Sequence, residues 1–127
     1  MKTCVAKSFE KSFKRLQKSG GSSQIVCQKV ITALEMWKHG DDSYLTRTHN
    51  GERRIANCVK YDLPSAYRLV TVENGIRFVL YVGSHDDVDQ WLDNNVGLVP
   101  TVNSKGKVTC ISVTEEKETA LSNKDTP

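Results

Sequence analysis

The chain has 127 residues, enough for one domain with its own core and too few for two. With 38% apolar and 26% charged residues it has the composition of a globular protein, not of a disordered one. No run approaches the roughly 20 apolar residues of a membrane span, and Met1-Lys2-Thr3-Cys4-Val5 lacks the apolar stretch of an export signal, so the expectation is a cytoplasmic protein without a membrane partner.

The formal net charge of +3 is unevenly divided: residues 1–83 hold 14 Lys and Arg against 7 Asp and Glu, and residues 84–127 hold 4 against 8. A basic body suits a polyanion, whose bound counterions it would release, and suits equally a solvated basic surface. Cys4, Cys27, Cys58 and Cys110 are far apart, as are His39, His49 and His85. No zinc half-site is spelled, no metal or cofactor is expected, and the cysteines read as small buried hydrophobes in a reducing compartment.

In chain order, a short strand is predicted at Thr3–Ala6. Phe9, Phe13 and Leu16 then recur at i, i+4 and i+7, the stripe of a helix over Lys7–Lys18. Ser19-Gly20-Gly21-Ser22-Ser23 breaks it. Val26, Val30, Ala33, Leu34 and Trp37 predict a second helix over Ser23–Lys38, antiparallel to the first. A loop follows to about Glu52. Arg53–Tyr61 and Ala66–Glu73 are predicted strands, and Asn74-Gly75 predicts a type I′ turn into a return strand, Ile76–Gly83. In that strand Ile76, Phe78, Leu80 and Val82 would share one face, with Arg77, Val79 and Tyr81 on the other. Ser84 and Asp87 have the spacing of a helix cap, and Val88, Trp91 and Leu92 continue a short helix over Asp86–Asn94. Val96–Pro100 leads out of it.

These elements predict an α+β fold: an N-terminal helical hairpin packed on a small, mainly antiparallel sheet, with a short C-terminal helix and the other sheet face partly open. Residues 1–100 would be the domain. Residues 101–127 would be an extension, with a strand over Lys107–Val113 and then a frayed acidic tail.

Three segments carry a family resemblance. Phe9-Glu10-Lys11-Ser12-Phe13-Lys14-Arg15-Leu16 resembles the opening helix of RelE/ParE-type toxins. Ala66-Tyr67-Arg68-Leu69-Val70 is similar to their central strand, and Leu80-Tyr81-Val82-Gly83-Ser84-His85-Asp86-Asp87 to the closing strand and turn of one branch, with Trp91 as the following aromatic. The resemblance implies the toxin of a toxin–antitoxin pair: a ribosome-dependent mRNA endonuclease that inhibits translation. The RNA's own 2′-OH would attack the neighbouring phosphorus without a metal. The implied partners are a cognate antitoxin and mRNA on the ribosome.

Such a transesterification needs a base, cations around the phosphorane and an acid for the leaving 5′-oxygen. Arg68 is the expected phosphate ligand, since a guanidinium donates in a bidentate fork; the competing reading is an ion pair with Asp62. His85 is the expected proton-transfer group, since an imidazole is the side chain suited to either proton-transfer role at neutral pH, and otherwise only begins a helix. Arg53, Arg54 and Lys60 are expected to cradle phosphate, Arg54 and Lys60 on one strand face, and Trp91 to stack on a base or else to pack. Tyr67 and Tyr81 read as sheet packing. Asp86 and Asp87 stand where relatives carry basic residues and would repel a phosphate. They favour the alternative, a non-catalytic binder on the same fold, either a gyrase-inhibiting toxin or a module that engages an antitoxin.

Overall fold

The computed structural model describes residues 1–112; the acidic tail expected over Thr114–Pro127 and the last residue of the strand expected over Lys107–Val113 lie outside the described residues. The chain opens with strand β1 (Lys2–Val5), then helix α1 (Lys7–Ser19) and helix α2 (Ser23–Lys38). Phe9 and Leu16 of the expected stripe are buried, and the Phe9 and Phe13 rings stack 5.5 Å apart. Ser12 is buried with them because its hydroxyl has two partners: it donates to the Phe9 carbonyl at 2.9 Å and accepts the Val82 N–H at 3.1 Å. Gly20 at φ 66° ends α1 in a backbone conformation that an L side chain rarely adopts. In α2, Val26, Val30, Ala33 and Trp37 are buried along one face, at the predicted spacing.

The next strands are β2 (Thr46–Arg47), β3 (Cys58–Leu63), β4 (Tyr67–Glu73) and β5 (Ile76–Ser84), then helix α3 (His85–Asn94) and a hairpin of β6 (Leu98–Val102) and β7 (Val108–Ser112). β3 begins five residues later than predicted, which leaves Arg53 and Arg54 in the loop before it. Gly75 takes a positive φ of 77° and Asn74 does not, so the Asn-Gly turn is not type I′.

The expected sheet needs correction. Its order is β1-β5-β4-β3-β2 and it is mixed: β1 runs parallel to β5, from Lys2 opposite Ile76 to Val5 opposite Val79. Parallel neighbours require a long crossover, and α1, α2 and the strands after them supply it. Nor is α3 the last element, because β6 and β7 follow as a separate two-stranded sheet. The chain is broadly α+β, with two helices before a mixed five-stranded sheet and one after it.

Both faces of that sheet are covered. On one, Phe9, Leu16, Val26, Val30 and Trp37 pack on Tyr61, Leu69, Val79 and Val82. On the other, Val88 and Leu92 of α3, Leu98 of β6 and Ile55 of the preceding loop pack on Val70, Val72, Phe78 and Leu80. The half-open face expected from the sequence is closed by the elements that follow β5.

Strict alternation also fails in β5. Val70 pairs with Tyr81 but Thr71 with Val79, so Leu80 is an extra, bulged residue. The bulge turns Tyr81 to the α3 side and Val82 to the helical-hairpin side, the reverse of the predicted assignment. Leu80 is fully buried, a contribution of about 1.5–3 kcal/mol for a side chain of its size.

Candidate functional site

Arg68 is the second residue of the central strand β4, opposite Asp62 of β3 and Gly83 of β5. Its Nη1 is 2.8 Å from Asp62 Oδ1, with the arginine side chain 25% exposed and the aspartate 47%. The cation expected to hold phosphate is therefore in an ion pair between adjacent strands. His85 is the first residue of α3 and is exposed. Ser84 caps the helix as its spacing predicted, its Oγ accepting the Asp87 N–H at 3.1 Å. Asp86 and Asp87 occupy the first turn, where negative charge complements the helix dipole. Arg68 and His85 are both at the end of the sheet where β5 passes into α3, but no hydrogen bond joins them.

A shallow cleft of about 210 Å³ opens at this same end, lined by Arg15, Ser19, Tyr67, Tyr81, Gly83 and Asp87. Neither Arg68 nor His85 lines it. Arg15 reaches across from α1 and donates from Nη2 to the Tyr81 hydroxyl at 3.4 Å. Gly83 sits in close quarters: a Cβ there would lie 3.1 Å from both the Asp87 Cβ and the Tyr81 ring, so one of those side chains would have to give by a few tenths of an ångström. The cleft thus offers one guanidinium, two phenols and a carboxylate. Arg15 and Tyr81 were not legible as neighbours, since 66 residues separate them.

The three residues expected to cradle phosphate are divided. Arg53 is exposed in the loop. Arg54 is held from several sides: Nε is 2.7 Å and Nη2 2.9 Å from the Glu52 carboxylate, Nη1 is 2.8 Å from Asp93 Oδ1, and Nη2 is 2.9 Å from Asp89 Oδ1. Nη1 also donates to the Asp89 carbonyl at 3.1 Å. Lys60 Nζ lies 3.2 Å from Glu52 Oε1, the oxygen that also accepts from Arg54 Nη2. The sequence placed Arg54 and Lys60 on one strand face; Arg54 lies instead in the loop before β3, and the two meet at the Glu52 carboxylate. The Arg54 hydrogen bonds, with a smaller pull from Lys60, lower the Glu52 carboxyl to about 2. Arg54 fastens the 52–54 loop to α3, and Lys60 ties the same loop to β3.

Trp91 stacks on Tyr81, ring centroids 5.2 Å apart and planes 16° from parallel, so one face of the indole is already covered. Cys27 is buried and Cys4 and Cys58 are half-buried, all as free thiols. Burial pushes the Cys58 thiol up to about 12, too high for a thiolate nucleophile at neutral pH. Among the described residues no three His, Cys, Asp or Glu side chains gather as metal ligands. No helix among them is long and apolar enough to cross a membrane.

The sequence reading also missed a buried polar network under α2. Arg77, 2% exposed, bridges Glu73 at 3.1 Å and Asp42 at 3.0 Å, and its guanidinium lies 4.2 Å from the centroid of the Trp37 ring. Glu73 also accepts from the hydroxyls of Tyr61 and Thr71. One signal was available: the hairpin turn places Glu73 and Arg77 directly opposite each other.

No family model and no curated protein matches this chain. A crystal structure of a copper-bound mutant toxin from Helicobacter pylori does match, with a TM-score of 0.52 and 18% identity, covering 69% of this chain and 98% of that one. At that identity the likeness is one of fold.

Proposed function

We propose that this protein is the toxin-like member of a toxin–antitoxin pair and that it acts by binding a protein target. The likeness in fold to a bacterial toxin supports the first half, as does the resemblance of its α1, β4 and β5 segments to RelE/ParE-type toxins. One observation carries the second half. Three of the four cations expected to hold RNA phosphate are joined to carboxylates instead: Arg68 to Asp62, Lys60 to Glu52, and Arg54 to Glu52, Asp89 and Asp93. α3 adds Asp86 and Asp87, so the surface beside His85 carries negative charge that repels a phosphodiester. A cognate antitoxin is the natural second partner.

A second reading, the metal-independent endoribonuclease, rests on Arg68 and His85 sharing one end of the sheet. In it Arg68 exchanges Asp62 for the phosphorane, His85 transfers the proton, Arg53, Arg54 and Lys60 steer the RNA backbone, and Trp91 offers its uncovered face to a base.

Induced expression in a bacterium separates the two. The binding reading expects growth arrest with intact mRNA, unchanged by Arg68→Ala or His85→Ala; DNA breaks trapped during arrest would identify gyrase as the target. New 5′ ends within translated codons, lost in both variants, would establish the nuclease instead. No arrest would overturn both toxin readings.

A further inference from the structure

β1 is the end strand of its sheet, with β5 on one side and no described strand on the other. The Ala6 N–H donates to the Val79 carbonyl at 2.9 Å, which sets the phase of this parallel pair. Residues two apart turn their N–H and C=O to the same side. Cys4 therefore faces β5 with Ala6, and the N–H and C=O of Thr3 and Val5 point outward from the open edge. Sheet proteins usually blunt such an edge, because it templates another strand. Here Lys2 is the blunting charge, yet Met1 and Val5 flank it at 59% and 40% exposure.

Hollows run along both sides of this edge. One, of about 380 Å³, lies against α2 and is lined by Thr3, Val5, Leu34, Trp37 and Lys38. The other, of about 660 Å³, lies against the β6–β7 turn, with Lys2, Lys7, Glu10, Lys107 and Val108 among its walls. Two buried side-chain polar atoms lack a hydrogen-bond partner among the described residues, Thr3 Oγ1 and Trp37 Nε1, and both belong to residues of the first hollow. Four lysines against one glutamate make the whole trough cationic.

We propose that this edge accepts an extended acidic segment of another polypeptide as a sixth strand. The outward groups of Thr3 and Val5 supply main-chain hydrogen bonds, which any sequence satisfies. The hollows supply selectivity, because side chains of an added strand alternate between the two sides. Apolar side chains of the segment fill the space beside Val5 and Leu34, and its carboxylates, on the other side, meet Lys2, Lys7 and Lys107, with Lys38 adding to the positive field of the trough. The same lysines disfavour a second copy of this chain, whose own edge would bring an equal positive charge. The inference stands apart from the toxin reading, since it needs only the edge and its charge.

The test uses the full chain and a fluorescent decapeptide of alternating Glu and Val. Saturable binding is expected, with slowed exchange of the Thr3 and Val5 amides on complex formation. Val5→Pro removes one outward N–H without removing a bond to β5, and should weaken binding at least tenfold. Lys38→Glu with Lys107→Glu, a surface change that leaves the edge intact, should do the same and guards against a folding defect in the proline variant. Equal binding of a Lys-Val decapeptide, undiminished binding by Val5→Pro in a chain that folds, or unprotected Thr3 and Val5 amides would each overturn the proposal. A dimer that protects those amides without peptide would also overturn it, by assigning the edge to a second copy.

Discussion

Arg77 and Glu73 form an ion pair 3.1 Å long in which the side chains are only 2% and 5% exposed, directly opposite each other across the β4–β5 hairpin. A buried charge keeps its place only when its partner and its remaining hydrogen bonds are supplied, and here Asp42, Tyr61, Thr71 and the face of Trp37 supply them. The network ties α2 and the loop after it to the hairpin.

Removing one member should cost far more than removing both. Glu73→Ala leaves Arg77 buried with the exposed Asp42 as its remaining carboxylate partner, with an expected loss of about 3 kcal/mol. Replacing Arg77 by Met in the same chain should recover part of that. Urea unfolding of the two single variants and the double variant measures the coupling; additive losses would show that the pair is not a unit.

Acid sensitivity should centre on Glu52. Its folded-state pKa of about 2 lies below the ordinary 4.5, chiefly through the Arg54 hydrogen bonds. A depressed carboxylate contributes stability above its unfolded value and loses it as pH falls toward the folded one. Stability should therefore drop between about pH 4.5 and 2, by roughly 3 kcal/mol for this group. Glu52→Gln should be less stable at neutral pH and flatter over that window in urea titrations at successive pH values.

Arg54→Lys keeps the charge and removes the fork. One ammonium cannot span Glu52, Asp89 and Asp93 together, so a loss of about 2 kcal/mol is expected. Amide exchange should speed up through α3 more than through α1, because the lost bonds are those that hold α3 to the loop. A uniform change across the molecule would count against that role.

Tyr61 should ionise well above the ordinary phenol range. Burial, then the hydrogen bond to Glu73, raise its phenol to about 12 from 10. The folded state holds that proton more tightly than the unfolded one, so the contribution is complete below pH 10 and is lost as pH rises toward 12. Alkaline absorbance titration of Tyr61→Phe should lack the phenolate step near 12 that the unaltered protein shows.

Much of the fold was legible because it is written over short distances. α2 runs over the predicted Ser23–Lys38, and α1 ends at Ser19, one residue past prediction. An apolar stripe and a Gly-Gly break are local signals that need no other part of the chain. The Ser84 cap, three residues from its partner, is of the same kind. The candidate site was less legible. The Arg68–Asp62 ion pair was legible as one of two readings of that arginine, because Asp62 is a local acid, and the strands place the two opposite each other. Arg54 had not been linked to α3, which begins over thirty residues later.

The sequence by itself determined where this chain turns, which faces of its two long helices are apolar, and that β4 and β5 form a hairpin, because propensity and periodicity act between near neighbours. Only the tertiary structure decided that β1 joins the sheet in parallel, that a bulge at Leu80 exchanges the faces of Tyr81 and Val82, that α3 and the β6–β7 hairpin close the second face, and that the basic residues meet carboxylates. Some of those outcomes join residues far apart in the chain, as Arg54 with Asp89 and Arg77 with Asp42, each pair 35 apart. Others, such as Arg68 with Asp62 and the bulge opposite Val70 and Thr71, are near in sequence but depend on how the strands are paired. A charge's role is set by what folding brings within about 4 Å of it, and spacing along the chain does not encode that distance.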